Sequence, residues 1–142
     1  MNLLLDTHVF VWAVAEPSRL GRLLQAALAS PENRIVVSAV TPWQIAIKQG
    51  VGRLSFPLDL FDSTIERMGC DILPILPAHG IAAGALPRHH NDPFDRMLIA
   101  QALTEDLMLV TRDQAILRYD VPVFGGGRRL TAGRSRWSGL PL

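Results

Sequence analysis

At 142 residues with 49% hydrophobic side chains, the chain has material for one compact domain and too little for two. Its only cysteine, Cys70, excludes an intrachain disulfide and gives no sign of an oxidising compartment. The net charge of +1 hides an asymmetry, because residues 125–142 hold four arginines and no acid, leaving ten basic against thirteen acidic residues before them.

The apolar stretch at the N-terminus lacks a basic leader, is interrupted by Asp6 and His8, and stops at Glu16-Pro17. It therefore reads as neither a signal peptide nor a membrane span, and a cytoplasmic location with no membrane partner is expected. Leu3–Leu5 is a continuous apolar run and reads as a strand; Val9–Ala15 and Leu20–Ala29 then show helical spacing. Ile35–Val37 is a second strand, followed by helices over Pro42–Gln49 and Leu58–Met68. A weaker strand at Ile72–Ile75 leads to helices over Ala78–Ala85 and Pro93–Thr104, then to a strand at Leu107–Val110 and a weak one at Val121–Phe124.

Continuous rather than alternating apolar strands are what a sheet covered on both faces requires. The expected fold is an α/β three-layer sandwich around a central, mostly parallel sheet of about five strands. Residues 1–124 would form this domain and residues 125–142 a basic C-terminal extension. That extension, with Trp137, is either an arm for nucleic acid or a partner, or a solvated tail loosened by glycine.

Asp6 follows the first strand directly, and Asp113 follows the "LMLV" run after Thr111 and Arg112. Both acids fall just beyond strand ends, where α/β sheets gather functional groups. Taken singly, each reads first as a turn or cap aspartate, and the pair carries more weight than either member. A second pair comes from "TPWQ" and "DPFD", each a capping side chain (Thr41, Asp92), a proline, an aromatic, and a polar third helical residue, Gln44 or Asp95. A carboxylate at that position stays ionised beside the unpaired N–H groups of the helix start. If both helix starts overlie the strand ends, Asp6, Asp95, Asp113 and Gln44 converge. Clustered carboxylates repel one another unless a cation neutralises them, and oxygen-only ligands suit Mg²⁺ or Mn²⁺. The chemistry that follows is metal-assisted phosphodiester hydrolysis.

The stretches "LLLDTHVFVWA", "VSAVTPWQIAIKQGVGRL", "LPRHHNDPFDRMLIAQAL" and "LMLVTRD" resemble, in order, the four signature blocks of PIN-domain ribonucleases, specifically VapC-like toxins of toxin-antitoxin pairs. The resemblance implies a metal-dependent RNA endonuclease with Mg²⁺ (or Mn²⁺) as cofactor and with site acids at Asp6, Asp95 and Asp113. It also implies a homodimer and a small antitoxin that covers the site, with DNA reached only through that antitoxin. The one departure is Gln44, which stands where the family usually has Glu. An amide still ligates or orients water, but it carries no charge and is no base, so attenuated cleavage is expected. The alternative is a catalytically silent PIN-like module that binds RNA or antitoxin.

Around this set, Ser38 and Thr111 either hydrogen-bond the carboxylates or cap the following turns. Arg96 and Arg112 either hold RNA phosphate or pair with the acids. His89 and His90 read as loop residues, with a phosphate contact at His90 as the alternative. Trp12 and Trp43 read as core or dimer interface rather than as platforms for RNA bases. A dehalogenase-like phosphatase wants an Asp where His8 stands, and a receiver domain wants a lysine at a late strand end, whereas the only lysine is Lys48 on a helix.

Overall fold

The computed structural model describes residues 1–125, so the basic stretch from residue 126 on, including Trp137, lies outside the described residues. In chain order the elements are β1 (Asn2–Leu5), α1 (Thr7–Ala15), α2 (Arg22–Ala29), β2 (Arg34–Ser38), α3 (Val40–Gly50), α4 (Phe61–Met68), β3 (Asp71–Leu73), α5 (Pro77–Ala85), α6 (Pro93–Thr104) and β4 (Met108–Val110). Short 3-10 turns at Pro17–Leu20, Leu58–Leu60 and Ile116–Arg118 join them.

The sheet is parallel throughout, in the order β3-β2-β1-β4. Alternation along the strands splits the core in two. Leu3 and Leu5 pack with Ile35, Val37, Val110 and the apolar faces of α1, α2 and α4, while Leu4, Val36 and Leu109 pack with α6 and Tyr119. Both faces are thus buried, as the continuous apolar runs require. Leu3, Leu4 and Leu5 are each fully buried, and such a side chain contributes roughly 1.5–3 kcal/mol. A charge at Leu4, in the middle of β1, is the single change that would break the sheet at its centre.

The expectation of about five strands is corrected to four. Val121–Phe124 contributes only a single parallel bridge between Leu109 and Val123. The Leu109 N–H donates to Pro122 O at 2.8 Å and the Phe124 N–H to Leu109 O at 2.9 Å. Pro122 has no N–H with which to extend the ladder.

The start of α3 also differs from expectation. The helix begins at Val40, because the buried Ser38 hydroxyl accepts the Val40 N–H at 3.0 Å. Thr41 is therefore inside the helix, fully buried with its hydroxyl unpartnered, and is not a cap. The "DPFD" start does behave as read, since Asp92 Oδ1 accepts the N–H groups of Phe94 at 2.9 Å and Asp95 at 3.1 Å.

Between β1 and β4 the strand order reverses direction, which opens a crevice beyond Leu5 and Val110. No helix among the described residues is long and apolar enough to cross a membrane.

Candidate active site

Asp6 caps α1 at the end of β1. Its Oδ1 accepts the Val9 N–H at 2.8 Å, which starts α1, and its Oδ2 accepts the Thr111 hydroxyl. Its own N–H is tied to Val110 O at 3.0 Å, so the residue is fixed between β1 and β4. Burial pushes its carboxyl above the usual range, and the Asp113 charge pushes the same way; the bonds from Thr111 and Val9 and the nearby His8 oppose this. Asp113 is exposed, its N–H donates to Thr111 Oγ1 at 3.1 Å, and its Oδ1 accepts the Ala115 N–H at 2.9 Å. Thr111 thus holds both strand-end acids through one hydroxyl.

Asp95 stands in the first turn of α6, and burial raises its carboxyl to about 6 against the favourable bond from His90, with Asp92 and Asp113 adding repulsion. Asp113 therefore adds a smaller repulsion to both Asp6 and Asp95, behind the burial that dominates each. Among the described residues no three such side chains already stand close enough to hold a metal ion. Their chemistry nonetheless fits a hard cation: all donors are oxygens, and the acids raise one another's affinity for positive charge.

A buried chain of polar groups orients Asp95. Arg96 Nη1 donates to the Tyr119 hydroxyl at 3.1 Å, that hydroxyl lies 2.8 Å from His90 Nδ1, and His90 Nε2 lies 3.1 Å from Asp95 Oδ2. The Tyr119 hydroxyl also accepts the backbone His90 N–H at 3.3 Å, so the ring of His90 is held between Tyr119 and Asp95. His90 therefore touches a site acid.

Gln44 is buried in α3, and its Oε1 accepts the Thr7 hydroxyl. Thr7 is the residue after Asp6, so position 44 is directed at the end of β1, as the motif comparison expects. The bond does not depend on the amide, because a carboxylate there would accept the same proton.

One expectation is corrected here. Arg96 does not face the acids or solvent: it is buried, and its guanidinium donates to Pro87 O at 2.8 Å, Ala83 O at 2.9 Å and Leu86 O at 3.1 Å, the carbonyls that end α5. Of the two readings of Ser38, the turn is the one observed: its hydroxyl accepts the Val40 N–H where α3 begins. Arg112, by contrast, is exposed and lines a cavity of about 220 Å³ with Asp6, His8, Trp12 and Asp113, its guanidinium braced on Leu20 O. Sequence reasoning missed Trp12 and His8 as walls of that cavity. The available signal was their four-residue spacing on the helix that Asp6 caps.

With this geometry described, the comparisons fall into place. The PIN domain family model matches residues 3–122, and the chain belongs to the PIN-domain family. Ribonuclease VapC22 of Mycobacterium tuberculosis is 28% identical over 124 residues, covering 85% of this chain and 94% of that protein. Among solved structures, VapBC2 from Rickettsia felis bound to a promoter DNA fragment superposes with a TM-score of 0.64 at 18% identity, over 87% of this chain and 96% of the other. FitAB bound to an IR36 DNA fragment gives 0.64 at 20% identity, over 86% and 93%. At these identities the structural likeness establishes the fold.

Proposed function

We propose that the chain is an endoribonuclease toxin that hydrolyses RNA phosphodiester bonds with Mg²⁺ or Mn²⁺ held by Asp6, Asp95 and Asp113, and that Gln44 attenuates it. What carries this reading is that one Thr111 hydroxyl holds Asp6 and Asp113 together at the strand-order reversal of a PIN fold, with Gln44 bonded to Thr7 beside Asp6. The likeness to a protein named as a ribonuclease supports the substrate class. Homodimerisation and a small antitoxin partner, through which alone DNA is contacted, accord with relatives solved as VapBC and FitAB assemblies on DNA.

A hard cation bound at this site supplies Lewis acidity to the phosphoryl group and makes water more acidic. The protein's own groups do the placing. Thr111 fixes the Asp6 oxygen that faces β4, and the Tyr119–His90 pair fixes Asp95. Arg112 has five N–H donors and spends one on Leu20, which leaves others for a phosphate oxygen at the cavity mouth. Gln44 orients a polar group but cannot take a proton. The charge it lacks corresponds to about 4 kcal/mol of gross attraction for a pair about 4 Å apart at an effective dielectric near 20.

Cleavage of RNA in Mg²⁺ by the chain, by Gln44→Glu and by Asp6→Ala tests the proposal. Slow cleavage that Gln44→Glu accelerates at least about tenfold, equivalent to about 1.4 kcal/mol, and that Asp6→Ala abolishes is the expected result. The neutral amide at position 44 also favours a second reading, a silent RNA- or antitoxin-binding module, which cleavage appearing only in Gln44→Glu would establish. Inertness of both proteins toward RNA would sink the nuclease reading.

A further inference from the structure

We infer that Trp12 is a stacking platform for one RNA base next to the scissile phosphate; this rests on the nuclease reading above and adds to it how substrate is held. Asp6 caps α1, and Trp12 stands six residues later, about 9 Å along the helix axis at 1.5 Å per residue. That is within reach of the base of a nucleotide whose phosphate lies at the carboxylates. His8 and Trp12 are four residues apart and share one helix face, while Val9 and Phe10 turn the other face into the core. A core tryptophan would be covered. This one packs against the edge of the core yet is only half-buried, and it lines the same cavity of about 220 Å³ as Asp6, Asp113 and Arg112.

That volume is below the roughly 300–1,000 Å³ of pockets that enclose a drug-sized ligand. It suits a single planar ring entering from one side. His8 adds a second ring, tilted by 51° with its centroid 6.2 Å from that of Trp12, and the Arg19 guanidinium lies 4.8 Å from the Trp12 ring centroid. Lys48 Nζ stands 3.3 Å from His8 Nε2. Arg19 also pairs with Glu16 at 3.8 Å, and Arg112 lines the cavity beside Asp6 and Asp113, so one aromatic surface and nearby arginines stand together, a combination that single-stranded nucleic acid takes without strong sequence preference.

The test is fluorescence anisotropy of a labelled single-stranded RNA oligonucleotide, with and without Ca²⁺ as a second oxygen-ligated cation, on the full chain and on Trp12→Phe and Trp12→Leu. Melting temperatures of all three control for folding. Stacking predicts that Trp12→Phe binds within about threefold of the original chain and that Trp12→Leu, which keeps an apolar side chain but no π-face, binds about 10- to 100-fold more weakly at unchanged melting temperature. In the more active Gln44→Glu background the same loss should appear in KM while kcat changes little. Trp12→Leu binding and cleaving RNA like its parent overturns the inference and leaves the nuclease reading standing. Parent proteins that neither bind nor cleave RNA overturn both.

Discussion

Replacing Arg96 with alanine should destabilise the domain severely, because its guanidinium is a structural staple and not a substrate contact. Its Nη atoms donate to Ala83, Leu86 and Pro87 carbonyls and to the Tyr119 hydroxyl, all within 2.8–3.1 Å. The three carbonyls close α5, where the helix dipole is negative and a cation is favoured. Hydrogen bonds to a charged donor contribute about 1.5–3 kcal/mol each, but they are not additive, and water can reach the exposed Pro87 end. A total loss of about 3–4 kcal/mol is therefore the working figure, a large share of the 5–15 kcal/mol that holds a typical domain. At roughly 2–4 °C per kcal/mol or somewhat more for a domain of this size, melting should fall by about 10 °C. Arg96→Lys keeps the charge without the planar fork and should lose most of the same stability. Calorimetry or circular dichroism melts decide the matter. A variant that melts within about 2 °C of the parent, well under the figure above, while losing RNA affinity would refute the staple and restore Arg96 as a phosphate contact.

Tyr119→Phe removes the hydroxyl that links Arg96 to His90, so it should lower RNA cleavage in the Gln44→Glu background about tenfold, mainly in kcat, by loosening Asp95; an unchanged kcat would count against the orienting chain. Thr111→Val deletes the hydroxyl that donates to Asp6 and accepts from Asp113, and should cost about 1–3 kcal/mol by denaturant titration, since both partners stay in place without it. For Asp95, whose folded value is raised to about 6 from 3.8, the folded state binds the proton more tightly than the unfolded one. The resulting penalty is absent below about pH 3.8 and fully present above about pH 6, so Asp95→Asn should raise the melting temperature in chelator at pH 7.5 and give no gain near pH 3.5. Cys70, pushed up to about 11 by burial and then by Asp71, should be alkylated at pH 8 about a hundredfold more slowly than a free thiol, with the difference lost in denaturant.

Much of the architecture was legible because the sheet is covered on both faces. Leu3–Leu5, Ile35–Val37 and Leu107–Val110 are unbroken apolar runs; the first two lie in the central strands β1 and β2 and the third enters β4 at the sheet's edge. Val121–Phe124 looks similar in composition, yet Pro122 within it removes the N–H that a ladder requires. The strand-end position of Asp6 and Asp113 was legible from those same runs. Arg96 was not, since nothing in a sequence marks which carbonyls a long side chain will find, and adjacency to Asp95 pointed the wrong way. Trp12 reads as core or dimer interface, and it does pack against the core; that it also lines a cavity is decided by tertiary packing, which its spacing does not show.

The two helix starts show how one sequence motif can arise from two different local structures. In "DPFD", Asp92 is a true cap and Asp95 stands in the first turn it begins. In "TPWQ", the helix has already begun at Val40, and what directs Gln44 is its place one turn further along α3, where it meets the Thr7 hydroxyl. Capping therefore exerts no hold on position 44. A carboxylate there would keep the Thr7 bond while adding charge to a cluster in which Asp6 and Asp95 already resist ionisation. The same substitution that restores affinity for a cation should thus destabilise the cation-free fold, and Gln44→Glu is expected to melt lower than the parent in chelator and to recover when Mg²⁺ is added. A Gln44→Glu protein that melts identically in chelator and in Mg²⁺ would show that position 44 stands outside the charge cluster, and would leave its attenuating role without support.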